Sequence, residues 1–317
     1  MLRYTARRLM LLGLTLLVAS ILIFVMTAVL PGNVGRIILG PFAQASAVEA
    51  LNQELGLNEP IPIRYIQWMG GVLQGDWGQS LSLNVPVLPL ALERLGRSLL
   101  LAGMAIGLLI PLAICFGVAA GRRPGGVLDR IASIGGLALG AMPEFVTGVV
   151  LIVAFGIALP WFPVQAATGL EEGIGAFIHG LILPALCLVL LLFAYLFRMT
   201  RSGMIAALDA DYTRTARLKG LPERIVLRRH VLRNALLPTV TVIGAQLGWL
   251  VGGLVVVESL FRYPGIGSLL HNAASNKDIP LLAGCTLLVT LVFSLSNLTA
   301  DLVYGLLNPR VRDAVAE

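Results

Sequence analysis

The stretch DYTRTARLKGLPERIVLRRHVLRNALLP, Asp211 to Pro238, decides how the rest of the chain is read. Seven of its 28 residues are Lys or Arg and two are acidic. The chain is oily on both sides: ILPALCLVLLLFAYLF precedes it and TVTVIGAQLGWLVGGLVVV follows it. A basic stretch with helix formers and a defined turn signal, set between two such runs, is an ordered insert on one face of a membrane. Gly203 to Lys219 reads as a helix ending at Gly220, a C-terminal cap position. Pro222 then falls where the first position of a second helix belongs. That helix runs through ERIVLRRHVLRN to about Leu237. Small apolar residues (Ala206, Ala207, Ala210, Ala216) alternate with basic ones. Two contacts fit this face: another protein approaching closely over the small side chains, or anionic lipid headgroups under the basic ones.

The composition of the 317 residues agrees with a membrane setting. Charged residues make up 13% and hydrophobic residues 57%, against a usual charged share of about 25%. The net charge of +6 does not indicate nucleic acid, because the basic residues sit between apolar runs. Cys115, Cys187 and Cys285 each lie inside an apolar run without metal or disulfide spacing, and read as small hydrophobes.

A membrane helix needs about 20 mostly apolar residues. Six runs qualify, near 9–30, 98–120, 131–158, 178–197, 239–260 and 281–306. The third contains Pro143 and Gly156 and is expected to be kinked or broken. The first is longer than the apolar region of a secretory signal and lacks a cleavage site, so it is a retained anchor. The expectation is an all-α protein with six transmembrane helices. Placing the N-terminus in the cytoplasm puts 17 Lys and Arg inside and 6 outside, as the positive-inside rule requires. Both termini and the basic insert are then cytoplasmic. Residues 31–97 form an outer loop with turn signals (PGNVG, NEPIP, GDWGQS) and short helical segments such as AVEALNQELGL. Domain by domain, this gives an N-terminal helix (1–30), that loop, a five-helix core (98–308) containing the insert (198–238), and a tail (309–317).

Several chemistries are excluded. No G-x-x-x-x-G-K-[ST] loop is present, so the chain by itself has no means to hydrolyse ATP. No H-E-x-x-H and no G-x-S-x-G occurs, and His179, His230 and His271 are scattered over both sides, so no metal site is expected. Ionisable groups in or beside the apolar runs are few: Glu144, Glu258 and Asp301. Glu258 has Arg262 at i+4, a favourable pair if the helix continues that far. Asp301 lies at the depth of Arg198 and Arg201. Structural pairing and a place on the substrate path are the two readings for both carboxylates. Glu144 follows Pro143 and is placed at a cavity or a helix break. Gln246 and Asn297 are polar at membrane depth, where hydrogen bonding between helices or a position on the pathway would use them.

The insert also carries a resemblance. DYTRTARLKGL…RHVLRNALLP resembles the cytoplasmic "EAA" loop of ABC-importer permeases, in the variant of the dipeptide/oligopeptide/nickel family. LGLNEPIPIRYIQWMGGVLQGDWGQSL is similar to that family's outer loop. VVVESLFRYPGIGSLLHNA resembles its E-x-x-F-x-x-P-G-x-G segment, and NLTADLVYGLLNPRVR its terminal N-x-x-x-D-x-x-Y pattern. The chain departs from the family at ERLGRSLLLA and at Asn308. The resemblance points to the B-type subunit and implies the type I ABC importer permease fold in the inner membrane. It implies that Tyr212, Arg214, Ala216, Arg217, Lys219, Gly220 and Leu221 couple to an ATPase. It further implies partners: a C-type permease, two ATP-binding subunits that carry ATP and Mg, and an extracytoplasmic solute-binding protein, with no cofactor on this chain. Peptides, nickel complexes, opines and glutathione-like compounds are the solutes of such systems. The alternative class is an ion-gradient-driven transporter or channel, which needs an intramembrane ionisable relay.

Overall fold

A computed structural model describes residues 2–29, 34–40, 42–54, 56, 58–166 and 173–307. These are built from helices: α1 (Leu2–Val29), α2 (Val34–Leu39), α3 (Ala45–Glu54), α4 (Ile61–Gln74), α5 (Val87–Arg122), α6 (Val127–Ala141), α7 (Glu144–Leu151), α8 (Ile174–Asp209), α9 (Asp211–Leu218), α10 (Glu223–Ile225), α11 (Leu232–Ala235), α12 (Leu237–Leu260), α13 (Ile266–Ser275) and α14 (Ile279–Leu307). Among the described residues the only β pairing is an isolated bridge between Gln79 and Pro86.

The apolar runs become helices, with three differences. Four helices (α1, α5, α8, α14) are long and apolar enough to cross a membrane, and α6 with α7 makes a fifth if the bent pair is one span. Among the described residues the count is thus four or five against the six expected. α12 is a continuous helix of 24 residues, but several of its side chains lie outside the described residues. Second, α5 starts at Val87 rather than near 98, so the supposed outer loop gives up its last eleven residues to the helix. Pro86 is the N-cap there; Pro fixes its own φ and favours a helix that begins just after it. Third, α8 runs through Arg198 to Asp209 without a break, so the insert emerges from the helix and is not a separate loop. The expected tail 309–317 lies outside the described residues.

The expected break in the third run is present. Met142 is extended (φ −78°, ψ 135°), the conformation favoured before proline. Pro143 caps α7, and the two halves meet at 109°. α7 then widens into a π-helical turn at Ile152–Ala158.

Three buried clusters hold the bundle. The central one brings Leu101, Leu109, Leu188, Leu192 and Leu254 together from α5, α8 and α12, with Phe261 at the C-cap of α12. α5 crosses α8 closely, Gly117 against Thr200 and Gly121 against Met204, the small-residue contact expected of membrane helices. A second cluster, at the end opposite the insert, joins Val87, Ala91, Ile266, Leu281 and Cys285. There Asp278 accepts hydrogen bonds from Ser80 Oγ (2.6 Å), Ser82 Oγ (2.7 Å) and Ser82 N–H (2.9 Å), fastening the 78–83 segment to the start of α14. Burial pushes this carboxyl up, and the hydrogen bonds more than offset it, leaving it below the usual range. The third cluster belongs to the insert. α4 leans on α1 through a Ser20–Tyr65 hydrogen bond of 2.8 Å and an aromatic group of Phe24, Tyr65 and Trp68.

Candidate coupling segment and polar sites of the bundle

The basic insert folds on its own small core. Met204 and Ala207 of α8 meet Ala216 of α9, Val226 and Val231 of the turn after α10, and Ala235 of α11. α9 begins when the chain turns at Ala210 (φ −71°, ψ 146°). Thr213 is buried and its hydroxyl donates to the Ala207 carbonyl (2.7 Å), tying α9 back to α8. Gly220 has φ +73° and open space where a Cβ would stand. Its glycine is therefore required by left-handed backbone, with no neighbour in this chain pressing on it. Pro222 is the N-cap and not the first residue of the next helix, one position earlier than expected. α8 meets α11 at Gly203, where any Cβ would strike the Ala235 carbonyl.

This geometry sorts the expected coupling residues into two sets. Tyr212 (41% exposed), Arg214, Arg217, Lys219 and Gly220 face outward, and Leu221 is half-buried. Ala216, 4% exposed, is packed inside the insert's own core, so it supports the outward surface and does not form it. Thr213 and Ala216 are three residues apart and share the inward face of α9. The sequence reading passed over Leu218, an apolar side chain that is 80% exposed beside the turn. A leucine alone among charged neighbours was the available signal. Arg217 forks onto Glu223 (Nη2 to Oε1, 2.9 Å; Nε to Oε2, 3.2 Å), closing the turn from outside. That guanidinium holds the Glu223 carboxyl below its usual range.

The expected carboxylate pairs are replaced by others. Asp301 pairs with Arg8 of α1. Arg201 pairs with Asp129 of α6, through Nε to Oδ1 (2.5 Å) and Nη2 to Oδ2 (2.8 Å). Arg198 is exposed and in no ion pair among the described residues. Similar depth put the right groups at one end of the bundle, but α14 packs on α1, while α8 turns Arg201 toward α6.

Glu258 does not pair with Arg262 either. α12 stops at Leu260, and Arg262 adopts φ +51°, so the i+4 geometry never forms. Glu258, 0% exposed, instead accepts from Ser98 Oγ (2.5 Å), Gly267 N–H (2.8 Å) and Ser268 N–H (3.1 Å). It thereby satisfies the first turn of α13 and pins that helix to α5 and α12. The negative charge also sits at the positive end of the α13 dipole.

Glu144, Gln246 and Asn297 come to three different places. Glu144 is half-buried at the α6–α7 bend, where its carbonyl faces the Cys187 thiol. Gln246 borders a narrow apolar crevice with Ile106, Leu109, Leu192 and Ile243. Asn297 lies with Arg8 and Asp301 in a cavity of about 160 Å³ between α1 and α14. Among the described residues no group of His, Cys, Asp and Glu could hold a metal ion. Cys187 and Cys285 are buried and Cys115 is exposed, all free.

The architecture is a helical bundle with a folded basic insert between two of its long helices. The family described as "Binding-protein-dependent transport system inner membrane component" matches residues 113–313, and its N-terminal companion matches residues 1–94. The chain belongs to that family and is a multi-pass, non-catalytic permease subunit; ATP hydrolysis falls to separate ATPase subunits. Among similar proteins, the "Probable peptide ABC transporter permease protein y4tP" of Sinorhizobium fredii is 37% identical over 98% of this chain and 99% of its own. The "Oligopeptide transport system permease protein AppB" of Bacillus subtilis is 37% identical over 97% and 98%. The "Glutathione transport system permease protein GsiC" of Salmonella choleraesuis is 35% identical over 98% and 99%.

Proposed function

We propose that this chain is the B-type half of the translocation path of an inner-membrane importer of di- and oligopeptides or glutathione-like peptides. Its partners in this reading are a C-type permease, two ATPase subunits that carry ATP and Mg, and an extracytoplasmic solute-binding protein, with membrane lipid around the bundle and no nucleic acid. The names of the relatives favour peptide solutes. The insert is the ATPase's contact. The observation that carries this is its construction: a small core rooted in α8 presents Leu218, flanked by Arg214, Arg217 and Lys219, to the outside. An exposed apolar anchor ringed by charges is the pattern of a protein contact, where a central anchor carries most of the energy and the rim sets rate and register. ATP-driven closure would press on this surface and reorient the bundle by largely rigid-body motion. The ion-gradient alternative is not favoured by the family to which the chain belongs.

Leu218→Asp tests the contact. Its side chain touches little of its own chain, so thermal stability of the purified permease stays as in the parent. Co-purification of the ATPase falls about thirtyfold, the equivalent of about 2 kcal/mol for a lost anchor, and peptide uptake falls with it. Full ATPase retention and uptake would make the insert a lipid-facing basic patch instead.

The same reading puts both termini and the insert in the cytoplasm, with the support of the 17-to-6 charge distribution. A membrane-impermeant thiol reagent applied to intact cells should label Gln53→Cys and miss Gly125→Cys and Leu218→Cys, in a background lacking the native cysteines. Labelling at Leu218→Cys in unbroken cells would invert the topology.

A further inference from the structure

At the end opposite the insert lies an open cavity of about 480 Å³, within the usual size of small-molecule pockets, about 300–1,000 Å³. Arg94, Arg262, His271, Asn272, Asn276 and Ser82 supply its polar wall. Leu83, Leu269, Ala273 and Leu281 give it an apolar side. One carboxylate borders it, Glu258, whose oxygens are already taken by Ser98 Oγ and by the Gly267 and Ser268 N–H groups.

The two guanidiniums are under-used. Arg94 donates Nη1 to the Pro264 carbonyl (3.2 Å), yet among the described residues its buried Nε has no hydrogen-bond partner. Buried donors of this kind are rare and call for an explanation. Glu258 is near enough to feel the charge of Arg94 but forms no ion pair with it among the described residues. The Arg262 side chain makes no ion pair and no hydrogen bond among the described residues; its φ of +51° is the left-handed turn that ends α12. The cavity therefore offers a net positive wall of planar donors, which suits a carboxylate bidentately. Its facing apolar side would seat a short uncharged body.

We infer that this cavity is a binding site for a small carboxylate-bearing solute, with the carboxylate held by Arg262 and Arg94 and the body laid against Leu269 and Leu281. The inference rests on the importer reading for the side from which solute arrives, but its test does not. The full-length chain in phosphatidylcholine nanodiscs is titrated by calorimetry with tri-alanine and, separately, with tri-alanine amide. The free acid should bind at least about tenfold more tightly than the amide, the loss typical of one charge-assisted pair. Arg262→Gln, at an exposed position, should weaken the acid by about tenfold and leave the amide unchanged. Arg94→Gln should weaken the acid as well. Equal affinity for acid and amide, or an Arg262→Gln variant that binds the acid as the parent does, overturns the proposal. Loss of tri-alanine binding when phosphatidylglycerol replaces part of the lipid assigns the cavity to headgroups and overturns it too. Because no ATPase is present, these failures leave the Leu218 result standing, and failure of the Leu218 contact leaves these standing.

Discussion

Ala216→Asp will dismantle the insert from within. The new carboxylate would enter a cluster of Met204, Ala207, Val226, Val231 and Ala235 that offers no cation and no free donor. Burying an unpaired charge or protonating it there costs at least about 3 kcal/mol, comparable with the whole stability of so small a core. The permease still inserts into the membrane, since the middle of the long helices is packed in the separate central cluster. Limited trypsin digestion should cut quickly after Arg217, Lys219 and Arg224 in the variant and slowly in the parent. ATPase co-purification and uptake are both lost. The contrast with Leu218→Asp is diagnostic: that variant loses the ATPase yet keeps the parent's protease resistance. Trypsin resistance in Ala216→Asp at the parent's level would show that Ala216 is not structural.

Glu258→Ala will loosen the opposite end. Removal of the carboxylate takes their acceptor from the Gly267 and Ser268 amides and the Ser98 hydroxyl, of which Gly267 and Ser98 are buried. Each unsatisfied buried donor costs about 1–3 kcal/mol, so about 3 kcal/mol in total is a conservative expectation. Amide hydrogen exchange at Gly267 and Ser268 should then rise by about 100-fold, at 1.4 kcal/mol per factor of ten. Glu258→Gln keeps an acceptor of the same shape but turns an NH2 toward a donor, and should fall between. Gly265 belongs to the same latch, because a Cβ there would run into the Glu258 carboxylate. Unchanged exchange in Glu258→Ala would mean that the first turn of α13 is held by packing alone.

Where the helices are could be read from hydrophobicity, because each apolar run must satisfy its own backbone in lipid. The break at Met142–Pro143 and the left-handed Gly220 were also legible, since Pro and Gly act locally. Partners across the bundle were not. Asp301 and Arg8 come from opposite ends of the chain, and nothing in either apolar run says that α1 lies on α14. Depth narrowed the choice to one end of the bundle, and rotation about each helix axis decided the rest. The Glu258–Arg262 expectation failed for a local reason: the helix ended two residues before Arg262. Within the insert, the Thr213–Ala216 spacing carried the inward face of α9, and the resemblance drew attention to Ala216 as a contact when packing had already used it.

The continuity of α8 has a mechanical consequence. Beyond Pro184, whose missing N–H opens the ladder, roughly 25 residues of helix run to Asp209, about 37 Å at 1.5 Å per residue. Met204 and Ala207, near the end of that rod, are themselves part of the insert's core. The insert is thus rooted directly in the helix that crosses the middle of the bundle. A tilt of about 10° around Pro184 would sweep the insert through about 6 Å over that length. In the proposed coupling role, motion delivered at the tip would arrive among Leu188 and Leu192 as rotation.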